Sequence, residues 1–203
     1  MSTTEKRHLD PERALVRRKQ VLDAATACFG RSGFHGASMA EISKAAGMSA
    51  GYIYNYFDSK DAIIAAFVEL NVERVSQLMR DLGQQEDPLQ SMVDDAPRHV
   101  SEHLDPNTWP LALEISAEAA RNPKIAEVVH DADLRGRVQF RAILKAARER
   151  HGLPTDDDTM DGLVEAMICL FQGLDVRVVH NPALNEPALS RYMSIAMKAM
   201  LFS

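Results

Sequence analysis

Between residues 38 and 60 the chain signals a new helix three times in quick succession. Ser38-Met39-Ala40-Glu41 is a capping box: the Ser38 hydroxyl can accept from an orphan N–H of the first turn while Glu41 reaches back to the cap. Gly47 breaks that helix after about two turns, where a tight reversal calls for positive φ. Ser49 can cap the next helix, Ala50 to Tyr56, and Asp58 or Ser59 opens a third. Ile42, Ala46, Met48, Ile53 and Tyr56 fall where two short helices would pack across the turn. The spacing therefore predicts a helix-turn-helix, two helices crossing steeply over a connection of roughly three to four residues.

The other segments follow the same rule. Apolar positions Ala14, Val21, Leu22, Ala25, Cys28 and Phe29 recur at three- and four-residue steps, which predicts a helix over 11–32 stopped by Gly33. Further helices are expected from residue 59 to about 82, over 89–104 with a kink or split at Pro97, and from Asp105-Pro106 to about 120. Three more follow, over 123–151, from the Asp156–Asp158 run to about 179, and over 187–202. No Val/Ile/Thr alternation of strand type is present. The fold class is all-α with about nine helices, an N-terminal three-helix head over 1–60 and a helical body over 61–203.

Charge divides along the same line. Residues 1–60 carry nine Lys/Arg against six Asp/Glu, whereas the remainder is acidic enough to bring the whole chain to −6. A basic head on an acidic body suits a protein that meets phosphates with one end only. The segment Met1 to Lys19 has no apolar stretch of the signal-peptide kind, and no window is long and apolar enough for a membrane span, so a cytoplasmic protein is expected. Cys28 and Cys169 both sit in apolar helical patterns and are expected to be small buried hydrophobes, with neither a basic cluster to activate them nor enough partners for a Cys-rich zinc site. Gly-rich phosphate loop, nucleophile elbow, His-Glu zinc motif and Cys-His pair are all missing, so neither an enzyme nor a cofactor is expected.

On the second helix of the motif, Ser49, Ala50, Gly51, Tyr52, Tyr54 and Asn55 would face outward. Small residues at its start allow close approach to a groove floor, and Tyr52 and Asn55 can donate and accept at base edges or phosphates. Residues 18–67 as a whole resemble the N-terminal domain of the TetR family of one-component repressors. The resemblance rests on the Ala24-Ala25-x₃-Phe29-x₃-Gly33-Phe34 run, the Ser38 cap, Ile42, Ala46-Gly47 and the ending Ile53-Tyr54-x-Tyr56-Phe57-x-Ser59-Lys60. Ser43 stands where the family usually has Ala. The resemblance implies a homodimer that binds a pseudo-palindromic double-stranded DNA operator, one head per half-site. It implies phosphate contacts from Tyr54, Lys60 and Ser38, and base choice by Ala50, Tyr52 and Asn55. Arg17, Arg18 and Lys19 are either a solvated face or extra phosphate steering.

The body carries no motif of comparable specificity. From the resemblance it should hold a small-molecule effector among its middle helices and pair with its mate through its last two helices. Those helices are apolar on more than one face, which fits burial on more than one side. Pocket candidates are Met92, His99, His103, Trp109, Leu113, Phe140, Leu144, Met167 and Phe171, each equally readable as core. The Met-rich content leans toward an apolar or aromatic effector. Glu114 or Glu118 could meet a cationic one. His99 and His103 have metal-compatible spacing but no third ligand, so no metal site is expected.

Overall fold

The computed structural model describes residues 11–203. Lys6 and Arg7, counted with the basic head, and the first ten residues of the segment expected to carry no leader lie outside the described residues. Nine helices and no strand are found among them. They are α1 (Pro11–Gly36), α2 (Met39–Ala45), α3 (Ala50–Ile53), α4 (Lys60–Gly83), α5 (Pro88–Leu104), α6 (Trp109–Ala119), α7 (Pro123–Arg150), α8 (Asp157–His180) and α9 (Glu186–Leu201). None is long and apolar enough to cross a membrane. Two compact units emerge, one of the described residues up to Phe67 and one of Val68–Ser203, with the division inside α4.

The head unit closes around Val21, Ala25, Phe29, Ile42, Ile53 and Ile63, each 2% exposed or less. Burial of such side chains stabilises by about 1.5–3 kcal/mol each, which lets helices as short as α2 and α3 persist where in isolation they would melt. Gly33 breaks α1 with φ 67° and ψ 173°, so the helix effectively ends there, as its sequence position implied. Phe34 then turns back onto Phe29, with ring centroids 5.5 Å apart.

In the body, α5 is the central helix, packed against α7, α8 and α9. Leu89, Ala96, Leu144, Met160, Met197 and Leu201 form its fully buried centre. Helix α5 continues through Pro97 and is not split there. Pro97 is exposed, so the hydrogen bond it forfeits falls on the water side, while buried Val93, Ala96 and Val100 hold the register on the other. Asp105-Pro106 also does not start α6: Asp105 instead accepts from the N–H of Asn107 at 2.9 Å, and the helix begins at Trp109. Asp156 caps α8 by accepting from the Thr159 N–H (3.0 Å) and hydroxyl (2.7 Å), the role expected of the acidic run. Cys28 is buried as expected, but Cys169 is exposed, on the outer face of α8. After Val68 no residue of α4 is buried. Its side chains reach α5 and α7 through polar pairs, Glu69 with Arg135 (2.7 Å), Ser76 with Gln139 (3.0 Å) and Arg74 with Glu102 (3.8 Å).

Candidate nucleic-acid interface

The motif is built by its caps. Ser38 Oγ accepts from the Glu41 N–H at 3.1 Å, and the Glu41 carboxylate accepts from the Ser38 N–H at 3.1 Å, closing the capping box. At the other end of α2 the Met48 N–H donates to Ser43 O (2.8 Å) and the Gly47 N–H to Lys44 O (3.1 Å), the paired bonds of a Schellman turn. That turn requires positive φ, and Gly47 supplies it at 63°. Gln20 on α1 donates to Ala46 O at 2.6 Å, tying the turn to the longest helix of the head. Ser49 then caps α3, accepting the Tyr52 N–H at 3.3 Å.

The result is a surface made of the expected residues. Ser38, Ser49, Ala50, Gly51, Tyr52, Tyr54 and Asn55 are all exposed, while Ile53, Tyr56 and Phe57 between and after them are buried. Met48 is only partly buried. Ser43, where the family usually has Ala, is buried and its hydroxyl donates to Ala40 O at 3.0 Å, so the extra oxygen is satisfied inside α2.

Two basic residues of the head also make contacts within the chain. Lys60 is half-buried: Nζ donates to Phe34 O (2.6 Å) and Ala37 O (2.7 Å) and lies 4.6 Å from the centroid of the Phe34 ring. The carbonyls left by the break at Gly33 need partners, and a long cation from α4 supplies them. Arg18 likewise donates to Tyr56 O (2.8 Å) and lies over the Phe57 ring at 4.3 Å, bracing the turn that follows α3. Lys19 pairs with Asp23 and Arg17 donates to Gln20. Lys44 on α2 was not singled out by its spacing. It is exposed, and its side chain makes no hydrogen bond or ion pair among the described residues.

Burial raises the Tyr56 hydroxyl above its ordinary pKa, and its contact with Tyr52 adds to this, while the Arg17 charge opposes it. Tyr56 therefore stays a protonated donor at neutral pH, and its O–H meets the Tyr52 oxygen at 2.8 Å.

The body brings most of the effector candidates together. Met167 and Leu144 are core residues. Met92, Phe140 and Phe171 are partly buried against the same cluster. His99 meets the Phe171 ring edge-on (5.9 Å) and His103 stacks on it (5.6 Å, 28°). His103 Nδ1 is 2.9 Å from the carboxylate of Asp175, a buried acid whose position in the sequence carries no signal of this contact 72 residues away. Burial lowers the pKa of His99, as does the adjacent Arg98 charge, against a smaller raising effect of Glu102. Trp109 and Leu113 lie on α6, outside this cluster. Glu118 is buried and accepts from Arg121 Nε (2.8 Å) and Asn122 Nδ2 (3.0 Å), so its charge is answered within its own helix end.

Comparison with known proteins adds identity to this geometry. Residues 21–67 match the family model described as bacterial regulatory proteins, tetR family, and residues 85–200 match that of the BetI-type transcriptional repressor, C-terminal. The chain is 33% identical over 112 residues to the HTH-type transcriptional regulator UidR of Escherichia coli, covering 55% of this chain and 56% of UidR. It thus spans about half the length of that relative. Salmonella enterica GusR superposes with a TM-score of 0.79 at 26% identity, covering 96% of this chain and 99% of GusR. FadR from Bacillus subtilis, solved in complex with stearoyl-CoA, shares the fold with a TM-score of 0.76 at 17% identity, covering 90% and 98%.

Proposed function

This chain belongs to the TetR family of bacterial regulatory proteins, and on that premise we propose that it is a cytoplasmic, non-enzymatic repressor that binds a two-fold symmetric duplex DNA site as a homodimer. The observation that carries the reading is the α2–α3 surface. Ser38, Ser49, Ala50, Gly51, Tyr52, Tyr54 and Asn55 are exposed on or beside two capped helices, with Ala50 and Gly51 allowing close approach and Tyr52, Tyr54 and Asn55 offering polar edges. In this reading Tyr52 and Asn55 face bases, Tyr54, Ser38 and Lys44 face phosphates, and Lys60 holds the turn behind them.

Dimerisation is supported by an outward apolar stripe on the last two helices. Val176 (44%), Val179 (49%), Tyr192 (61%) and Ile195 (56%) are exposed there, a surface that one chain alone leaves in water. A second copy in an isologous arrangement would cover it. For the effector we propose a small, mostly apolar or aromatic molecule near Met92, His99, His103 and Phe171, whose differential binding favours the DNA-free state. FadR, of the same fold, was solved with stearoyl-CoA.

The test is selection of bound duplexes from a randomised DNA pool by the full chain, followed by anisotropy on the selected and scrambled sequences at low and physiological salt. A palindromic consensus retained at physiological salt is expected. Binding that is weak, equal on both sequences and abolished by salt would overturn the reading.

A further inference from the structure

We propose that Tyr56 is a positioning residue for sequence reading: its shielded hydroxyl commits that of Tyr52 to act as a donor, so that α3 selects a hydrogen-bond acceptor on a base edge. This rests on the DNA-binding reading above and adds to it a defined chemistry at one position.

The two rings meet edge to face, with centroids 5.4 Å apart and planes at 81°, and their hydroxyl oxygens are 2.8 Å apart. Such a pair shares one proton between the oxygens. Tyr56 is 7% exposed and Tyr52 38%, so the hydroxyl on the more buried residue is that of Tyr56. Donation from Tyr56 to Tyr52 satisfies it. The Tyr52 oxygen is then occupied as an acceptor, and its own O–H is directed away from Tyr56.

Two hydrogen bonds to the main chain anchor the pair. The Tyr52 N–H is fixed by the Ser49 cap and the Tyr56 carbonyl by Arg18 Nη1 at 2.8 Å. The spacing of four places both rings on one side of the short helix and its following turn. Tyr52 thus reaches the surface with its rotamer and its hydrogen already chosen, which lowers the ordering cost on binding.

A committed donor discriminates. In the major groove guanine offers O6 and N7, adenine N7 and thymine O4, whereas cytosine offers only its N4 donor. Tyr52 therefore disfavours cytosine at the base it touches.

The experiment compares wild type, Tyr52→Phe, Tyr56→Phe and the double variant by selection from randomised duplexes and by anisotropy on the selected site and its single-base changes. Wild type is expected to exclude cytosine at one position of each half-site. Tyr52→Phe is expected to relax that exclusion roughly five- to tenfold, the scale of one net hydrogen bond. Tyr56→Phe relaxes the same position, and the double variant goes no further than Tyr52→Phe, because the two act as a unit. Melting temperature and salt slope stay near wild type. A Tyr56→Phe protein with the full wild-type preference overturns the proposal, as does a Tyr52→Phe protein weakened equally on all sequences, which would place the hydroxyl on a phosphate. A wild-type chain without any base preference would instead overturn the repressor reading.

Discussion

Arg148 Nη1 donates to the main-chain oxygen of Leu201 at 2.8 Å, joining the end of α7 to the end of α9. The same guanidinium, 1% exposed, donates through Nε to Pro154 O at 3.0 Å and through Nη2 to Ser203 O at 2.7 Å. A buried cation is thereby set between the Pro154 carbonyl of the α7–α8 segment and the main-chain oxygens left unsatisfied at the end of α9, where the macrodipole also favours positive charge. Arg148→Met keeps much of the volume and strands those carbonyls. We expect a loss of about 2–4 kcal/mol of stability, read as a lower urea midpoint. A midpoint unchanged from wild type would show that the carbonyls are served by water.

Lys60 and Lys44 should separate by salt dependence. Lys44→Gln is expected to lower the slope of log K against log salt by about one and to weaken all sequences alike, as loss of one phosphate contact does. Lys60→Gln is expected to leave that slope unchanged while destabilising the head by about 1–2 kcal/mol, because it frees the Phe34 and Ala37 carbonyls. The reverse pattern, a slope lowered by Lys60→Gln alone, would place its ammonium on DNA.

Ile195→Glu introduces a charge into the apolar stripe of α9. Sedimentation should show monomers where wild type gives dimers, with operator affinity falling by at least about tenfold at the same protein concentration. Val138 on α7 is equally exposed, at 60%, and Val138→Glu is expected to leave association intact. Monomers from Val138→Glu and dimers from Ile195→Glu would move the interface to α7.

His99 gives stability a pH dependence. Its folded pKa lies below the ordinary value of about 6.5, because burial and the Arg98 charge disfavour the imidazolium. Above that value neither state binds the proton and there is no effect. As pH falls through about 6.5 the unfolded chain protonates first, so stability declines until the folded pKa is passed. Replacing His99 by Gln should flatten the melting temperature between pH 7 and pH 5.5, measured in one buffer series. A wild-type profile already flat over that range would remove His99 as its source.

What could be read from the sequence was local. Ser38, Gly47 and Asp156 act within four residues of themselves, so their caps and turns were visible in spacing alone. The partners of Arg148 lie up to 55 residues away, and in the run Ala-Ala-Arg-Glu-Arg it reads as one more solvated charge. Nothing near Lys60 in sequence announces its contacts with the carbonyls of Phe34 and Ala37, which lie more than 20 residues away. Pro97 misled because a local rule about proline cannot see which side of the helix faces water. For the tyrosine pair a signal did exist: the spacing of four between Tyr52 and Tyr56 on a helix places two rings together.

The outward position of Cys169 has a practical consequence. The only other cysteine, Cys28, is 1% exposed, so a maleimide or disulfide reagent finds one thiol per folded chain. That thiol lies on the same helix as Val176 and Val179. The chain therefore comes with a single chemical handle on the helix where a second copy would sit in the proposed dimer, and a labelling rate that rises on dilution would report the separation of two copies.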